Sequence, residues 1–257
     1  MIIDTHCHIY LEEFDEDRPD MIKNAKNEGV KRFLMPAIDS GSYEKMLTVE
    51  LQYPGECIAM MGLHPCSVKE NFEKELAIAE SFLSRKSFIA IGEVGLDFFR
   101  DKTFVKEQIK VFQLQIDWAH STRLPIVIHS RNSIDECINL VKQNQNGNLK
   151  GVFHCFSGTI IQAKEIIDLG FYLGIGGVVT FKNSGLDKVV NELDLSHIVL
   201  ETDSPYLAPV PFREKRNESC YLKYVVKKLA EIKNVSEEVI ADVTTKNAKD
   251  LFGLYND

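Results

Sequence analysis

Short apolar segments alternate with longer amphipathic segments along the whole chain, and this alternation constrains the fold more than any other feature. Eight segments have the length and composition of strands, and they are Ile2 to His8, Arg32 to Ile38, Cys57 to Leu63, Phe88 to Val94, Pro125 to His129, Gly151 to His154, Phe171 to Ile175 and His197 to Thr202. The intervening segments have helical periodicity, and they are Pro19 to Glu28, Tyr43 to Gln52, Phe72 to Ser84, Phe104 to Ser121, Ile134 to Gln143, Ile160 to Leu169, Leu186 to Leu193 and Cys220 to Lys233. Strands separated by helices are typical of a parallel sheet covered by helices.

Eight such units in 257 residues predict an α/β fold of the (β/α)8 TIM-barrel type, as one domain over residues 1–257. An added C-terminal helix is predicted from Ser236 to Phe252, with Ser236 as its N-cap. A doubly wound open sheet is the alternative. The barrel is favoured because no G-x-G-x-x-G follows the first strand and polar residues stand after several strands, not at one switch point.

The composition limits the classes of protein that the chain can represent. Apolar residues make up 44% of the sequence, but no apolar run reaches the roughly 18 residues needed to span a membrane, and no secretory signal pattern is present. Six cysteines occur without a C-x-x-C spacing, which favours reduced thiols over disulfides or a thiolate metal site. We therefore expect a soluble, cytoplasmic protein with no membrane partner. The oligomeric state is left open, and a monomer is compatible with the sequence.

A net charge of −8 argues against nucleic-acid binding through a general basic surface. Any such contact must be local, through bound divalent cations or through the basic residues between Arg213 and Lys228. That segment equally fits a solvated helix face.

Residue types that commonly bind metals lie at the C-terminal ends of several predicted strands. His6 and His8 are two residues apart on the first strand, so they share a face. The same position after later strands holds further ligand-type residues, namely His64, Glu93, His129, His154 and Asp203. Five of the seven histidines belong to this set, whereas His120 and His197 are interpreted as structural.

Imidazoles and carboxylates without thiolates suit Zn, Mn, Fe or, with water, Mg. Four histidines and two acids exceed what one catalytic ion with an open position needs, so we predict two divalent ions. Glu93, in the middle of the set, is the natural bridging ligand. Asp203 can hold one ion and orient or deprotonate the attacking water.

Seven motifs resemble those of the TatD-type metal-dependent deoxyribonucleases, a branch of the amidohydrolase-like barrels, and they are DTHCH, GLHP, GEVGLDFF, PIVIHSR, GVFHCFSG, ETDSPYLAP and KRNE. The resemblance covers essentially the whole chain. It implies that His6, His8, Glu93 and Asp203 bind a first ion and that Glu93, His129 and His154 bind a second. It also implies that His64 faces the scissile phosphate, and that the activity is a 3′-to-5′ exonuclease on DNA and sometimes RNA.

The catalytic residues are accordingly predicted to be Glu93, Asp203 and His64, and the candidate substrate contacts are His64, Arg131, Arg213, Lys215 and Arg216. The loop departs from the common family pattern in two places. Phe212-Arg213-Glu214-Lys215 stands where many members have His-Arg-Gly-Lys, and Ser219 stands where proline is common. These departures leave the predicted ligands intact but change the loop that would meet the substrate.

Two other function classes fit the same residues. One barrel supports many chemistries through its loops, so an amidase, deacylase or lactonase is the main alternative. A metal-bound scaffold without turnover is disfavoured because buried charges and histidine clusters are costly to retain.

Overall fold

The computed structural model of the chain describes residues 1–255, so the last two residues of the predicted domain lie outside the described part. The strands in that part are β1 Ile2–Asp4, β2 Val30–Met35, β3 Cys57–Ala59, β4 Ile91–Asp97, β5 Ile126–Arg131, β6 Gly151–Phe153, β7 Phe171–Ile175 and β8 Ile198–Leu200. The helices are α1 Arg18–Asn27, α2 Ser40–Gln52, α3 Phe72–Arg85, α4 Val105–Thr122, α5 Ile134–Asn144, α6 Ile160–Asp168, α7 Leu186–Glu192, α8 Leu222–Lys233 and α9 Glu237–Phe252. Within the same residues, no helix is long and apolar enough to cross a membrane.

The strands are parallel and close into a barrel, as predicted. β1 to β3 pair in sequence order, and β4 to β8 do the same. The two sheets meet at both seams, since Met61 pairs with Ile91 and Cys7 pairs with Ser204 in parallel bridges. The prediction of a TIM barrel is therefore confirmed.

The inside of the barrel is apolar at the end where the strands begin. Its lining comes from residues in seven of the strands or directly next to them, namely Ile3, Leu34, Met60, Ala90, Val127, Val152 and Val199. The added helix α9 packs Ala248, Leu251 and Phe252 against this layer. Ser236 caps α9 by accepting a hydrogen bond from the amide N–H of Val239, as the sequence predicts. This apolar layer closes one end of the barrel and leaves the other end for polar groups.

Alternation along the strands places those polar groups. Successive side chains of a strand point to opposite faces, so the residue two positions after a lining residue points inward again. Two positions after Val127 and Val152 stand His129 and His154. The inward face of the barrel thus changes from valine to histidine within one step toward the C-terminal ends.

Several predicted strand ends were wrong. β1 ends at Asp4, four residues before the predicted end at His8, although the amide N–H groups of Thr5 and Cys7 still donate to the carbonyls of Leu200 on β8 and Leu34 on β2. β4 begins later than predicted and runs on to Asp97, which pairs with Arg131 of β5. The partner strand decides where a ladder stops, and a single strand's sequence does not contain that information.

Candidate metal centre

Five histidines and two carboxylates meet at the C-terminal mouth of the barrel, and they are the seven ligand-type residues predicted from the sequence: His6, His8, His64, Glu93, His129, His154 and Asp203. All seven side chains are largely buried. They come from strand ends around the barrel, so the closed fold brings together residues up to 197 positions apart (203 minus 6).

Glu93 lies at the centre of this cluster and faces histidines with both carboxylate oxygens. Its Oε2 is 3.1 Å from His6 Nε2 and 3.4 Å from His8 Nε2. Its Oε1 is 2.8 Å from both His129 Nδ1 and His154 Nε2. One carboxylate therefore separates two groups of ligand atoms.

The first group has the spacing of a tetrahedral metal site. His6 Nε2 and His8 Nε2 are 3.3 Å apart, and Asp203 Oδ1 lies 3.6 and 3.5 Å from them. Two ligand atoms of a tetrahedral ion with bonds of about 2.0–2.1 Å lie about 3.3–3.4 Å apart. With Glu93 Oε2 as the fourth ligand atom, the group fits a divalent cation.

The second group offers three ligand atoms. His129 Nδ1 and His154 Nε2 are 3.4 Å apart, and Glu93 Oε1 lies between them. Three protein ligands and a vacant fourth position are typical of a catalytic site. The two nitrogens have the spacing of ligands on one ion, and imidazoles with a carboxylate are suitable ligands for a divalent cation.

The second ring nitrogen of His8 makes a contact that determines which nitrogen carries the proton in the neutral ring. The hydroxyl of Tyr10 donates to the carbonyl of Pro36, at 2.7 Å, so its oxygen accepts from His8 Nδ1–H at 3.0 Å. In the neutral imidazole the proton then lies on Nδ1, and Nε2 keeps its lone pair for a cation.

His129 presents the other ring nitrogen to the cluster, Nδ1 instead of Nε2, and a carboxylate fixes this orientation. Its Nε2 lies 3.0 Å from Asp97 Oδ2, so Nε2–H donates and Nδ1 presents the lone pair beside Glu93. Asp97 Oδ1 accepts from the amide N–H groups of Phe99 and Arg100. Burial raises the pKa of Asp97, but the hydrogen bonds from His129 and these amides hold it well below its usual range.

His154 lies above a buried glutamate. Its Nδ1 is 3.6 Å from Glu201 Oε1, too far for a hydrogen bond, and this oxygen accepts from the amide N–H of Cys155. Gly174 makes room for that carboxylate, because a Cβ there would collide with Glu201 Oε2. The negative charge beneath Nδ1 favours a proton at that position and leaves Nε2 as the ligand atom.

His64 differs from the other four histidines. Its Nε2 is 3.2 Å from Glu93 Oε1, close enough to count among ligand atoms by distance alone. However, Nδ1 accepts a hydrogen bond from the amide N–H of Cys66, so the neutral ring carries its proton on Nε2. That nitrogen is a donor, suited to an anionic oxygen and unsuited to a cation.

The electrostatics of the cluster favour cations. Burial raises the pKa of Glu93, but the positive potential of His154, His64 and His6 holds it well below its usual range. Burial lowers the pKa of His8, yet hydrogen bonds with Asp203 and Glu93 raise it to about 9. Protons and divalent cations therefore compete for the same nitrogen, and metal binding should release protons.

Replacing Asp97 by asparagine is expected to weaken metal binding at the second group about 10- to 100-fold. The asparagine amide can donate to His129 Nε2, which would move the ring proton to Nδ1, the ligand atom. Calorimetric titration of Zn²⁺ or Mn²⁺ into chelator-stripped protein measures the change. Asp101→Asn, in the same loop and paired with Lys69, is the matched control, and equal losses in both variants would contradict the role of Asp97.

The predicted basic substrate contacts differ in their exposure and in the side chains that they touch. Arg131 is exposed, and its guanidinium lies 4.0 Å from the ring centre of Phe99. Arg213 is exposed and lies 3.8 Å from the ring centre of Phe181. Both arginines keep a solvent-facing surface that a phosphate could reach.

The remaining two predicted contacts differ from each other. Lys215 is exposed beside the ring of Phe212. Arg216 instead makes two hydrogen bonds to Asp17, at 2.8 and 2.7 Å, and lies over the ring of Phe14. Its guanidinium therefore connects the loop after β8 to the segment before α1.

Arg216→Ala is expected to lower the free energy of unfolding by about 1 kcal/mol, since a bidentate pair exceeds the usual value of a surface ion pair. For a chain of this size the melting temperature should fall by about 2–4 °C. Calorimetry measures the shift. Lys215→Ala is the control, and a melting temperature that stays unchanged in Arg216→Ala would contradict this structural role.

Sequence reasoning assigned no role to three residues that orient the ligands, namely Tyr10, Asp97 and Glu201. Two of them carried a signal. Glu201 is an acidic residue directly after β8 and two positions before Asp203, and Asp97 ends the buried strand that contains Glu93. Tyr10 had no such signal, because its partner Pro36 belongs to a different strand connection.

Residues 3–253 match the model of the family described as TatD related DNase. A similar curated protein is the uncharacterized metal-dependent hydrolase YabD of Bacillus subtilis, which is 38% identical over 98% of this chain and 99% of its own length. The human deoxyribonuclease TATDN3 is 32% identical over 98% of this chain and 94% of its own length.

Among solved structures, the crystal structure of YJJV, a TatD homologue from Escherichia coli K12, superposes with a TM-score of 0.92 at 28% identity and covers 98% of both chains. The similarity thus extends over the whole barrel, including every strand end that carries a ligand-type residue.

Proposed function

This chain belongs to the TatD-related DNase family, and we propose that it hydrolyses phosphodiester bonds at DNA ends, in the 3′-to-5′ direction, with two divalent metal ions. Family membership makes it a metal-dependent hydrolase. The substrate, the direction and the number of ions are the proposed part.

The observation that carries the proposal is the position of Glu93 between two groups of ligand atoms. A carboxylate shared in this way is the usual bridge of a two-metal hydrolytic site. Such ions, when bound, lower the pKa of water toward neutrality and offset the charge of a phosphodiester. An acidic chain with a net charge of −8 needs that local compensation to accept a polyanion.

Asp203 is the proposed proton acceptor for the attacking water. It is the more accessible of the two acidic residues in the cluster, since 16% of its side chain is exposed, compared with 3% of the Glu93 side chain. Its backbone is fixed, because its amide N–H donates to the carbonyl of His6. The carboxylate therefore holds a constant position at the open side of the first group.

His64 is the proposed contact to the phosphate. Its Nε2–H points into the cluster from the β3 side, and the hydrogen bond at Nδ1 fixes the ring. A donor at that place stabilises negative charge that develops on a phosphoryl oxygen. Arg131, Arg213 and Lys215 are proposed to meet more distant phosphates.

End-labelled single-stranded and double-stranded oligonucleotides, incubated with metal-loaded protein, test the proposal. DNA and RNA versions, with labels at either end, should shorten from the 3′ end in the presence of Mg²⁺, Mn²⁺ or Zn²⁺. Asp203→Asn protein, purified in parallel, excludes a contaminating nuclease. Hydrolysis of carboxyl esters, lactones or amides without any cleavage of oligonucleotides would overturn the proposal.

A further inference from the structure

Two aromatic side chains beside the metal centre are unusually exposed. Phe99 is 58% exposed and Tyr206 is 49% exposed, in a chain whose other aromatic residues mostly pack in the core. Phe99 follows β4 and Tyr206 follows β8. In a closed eight-stranded barrel these connections stand on opposite sides of the mouth, so the two rings flank the ligand cluster.

Phe99 is fixed relative to the metal centre. Its amide N–H donates to Asp97 Oδ1, and the other oxygen of Asp97 contacts His129 Nε2 at 3.0 Å. Arg131 covers one face of the ring at 4.0 Å, and its carbonyl accepts from the amide N–H of Phe98. An exposed ring with this anchoring is held in place without being buried.

Tyr206 is anchored in a similar way on the other side. Its amide N–H donates to the carbonyl of Asp203 at 2.8 Å, and its own carbonyl accepts from Asn217 Nδ2 at 2.7 Å. The ring centre lies 6.4 Å from that of His8, which belongs to the first group of ligand atoms. The backbone of Tyr206 is therefore held by a direct hydrogen bond to the backbone of Asp203, a predicted ligand.

We propose that Phe99, together with Arg131, and Tyr206 form two stacking surfaces for unpaired bases on either side of the scissile phosphodiester. The inference rests on the proposed nuclease function and assigns the residues that would hold the bases next to the scissile bond. Exposed aromatic rings next to arginine are the usual means of holding single strands without sequence preference. Bases within a duplex stack on their neighbours and cannot present a face to these rings.

Stacking has a measurable size. Removing an aromatic side chain on which one base stacks weakens the affinity for the nucleic acid about 5- to 150-fold. Phe99→Leu and Tyr206→Leu should each raise the KM for a single-stranded oligonucleotide within that range. The effect should vanish on the same oligonucleotide when its terminal two nucleotides are abasic, because no base remains to stack.

The experiment compares four proteins on two substrates. We assay wild type, Phe99→Leu, Tyr206→Leu and the control Tyr255→Leu on intact and abasic oligonucleotides. The control removes a ring that is 65% exposed and lies just after α9. Binding of a fluorescein-labelled hexanucleotide to the metal-loaded proteins, each also carrying Asp203→Asn to slow cleavage and followed by anisotropy, gives a second readout that needs no turnover. Metal content and melting temperature are measured for each variant.

The outcomes separate the two proposals. If wild type cleaves no oligonucleotide, the proposed function fails. If wild type cleaves but the mouth variants match Tyr255→Leu, or lose equally on intact and abasic substrates, the stacking surfaces are refuted while the nuclease function stands. A loss on intact substrate alone, with weaker hexanucleotide binding, supports the stacking surfaces.

Discussion

Glu93→Gln protein is expected to hydrolyse substrate on the order of 10³-fold more slowly than wild type or worse, and to bind less metal. Metal ions contribute several kcal/mol to such reactions, and each ~1.4 kcal/mol is a factor of ten. Glutamine is nearly isosteric, but its NH₂ group would face the ligand nitrogens of one group and remove the charge that both groups share. Metal analysis of protein dialysed against Mn²⁺ or Zn²⁺, with steady-state kinetics, measures both effects.

The same substitution should reduce the stabilisation that metal gives to the fold. A ligand that binds only the folded state raises the melting temperature, so a chelator should lower it in wild type and lower it less in Glu93→Gln. Glu70→Gln, at an exposed position, is the control. Full metal content with normal rates in the Glu93 variant would contradict the bridging role, as would wild-type protein that never holds more than one ion.

Asp203→Asn is expected to lower kcat about 10²- to 10⁴-fold while the KM changes little. An amide can coordinate a cation weakly but cannot accept a proton from the attacking water. Steady-state kinetics over a range of metal concentrations separate a loss of occupancy from a loss of chemistry. A rate that recovers fully at high metal concentration would show that Asp203 only holds metal.

His64→Ala provides the comparison for that result. His64 presents a donor N–H to the cluster, so its removal should lower the rate while metal content stays normal. Loss of metal in His64→Ala would show that the ring binds a cation, with its proton moved away from Nε2.

Much of the fold was readable from local patterns. Each strand carries enough apolar residues to be recognised alone, and their number with the intervening helices predicted a barrel, which the closed strand order confirmed. The predicted ligand residues needed only one further rule, that functional side chains of a parallel barrel stand at the C-terminal ends of its strands. The seven residues selected in this way do meet in space, and their roles stay predictions.

Contacts between distant segments were beyond that reasoning. Arg216 was grouped with Arg213 and Lys215 as a basic cluster, but the structure pairs it with Asp17, 199 positions away. The proton positions that distinguish His64 from His129 depend on the amide N–H of Cys66 and the carboxylate of Asp97, whose contacts with these two rings form only in the folded barrel.

The sequence by itself determined the barrel and the identity of the ligand-type residues, because hydrophobic periodicity and strand-end position are local properties. Only the tertiary structure decided which nitrogen of each imidazole faces the cluster, where the strands end, and which arginine and lysine side chains stay exposed. Those features depend on hydrogen bonds and ion pairs between segments far apart in the chain. Such partners are selected when the barrel closes, and no local pattern encodes them.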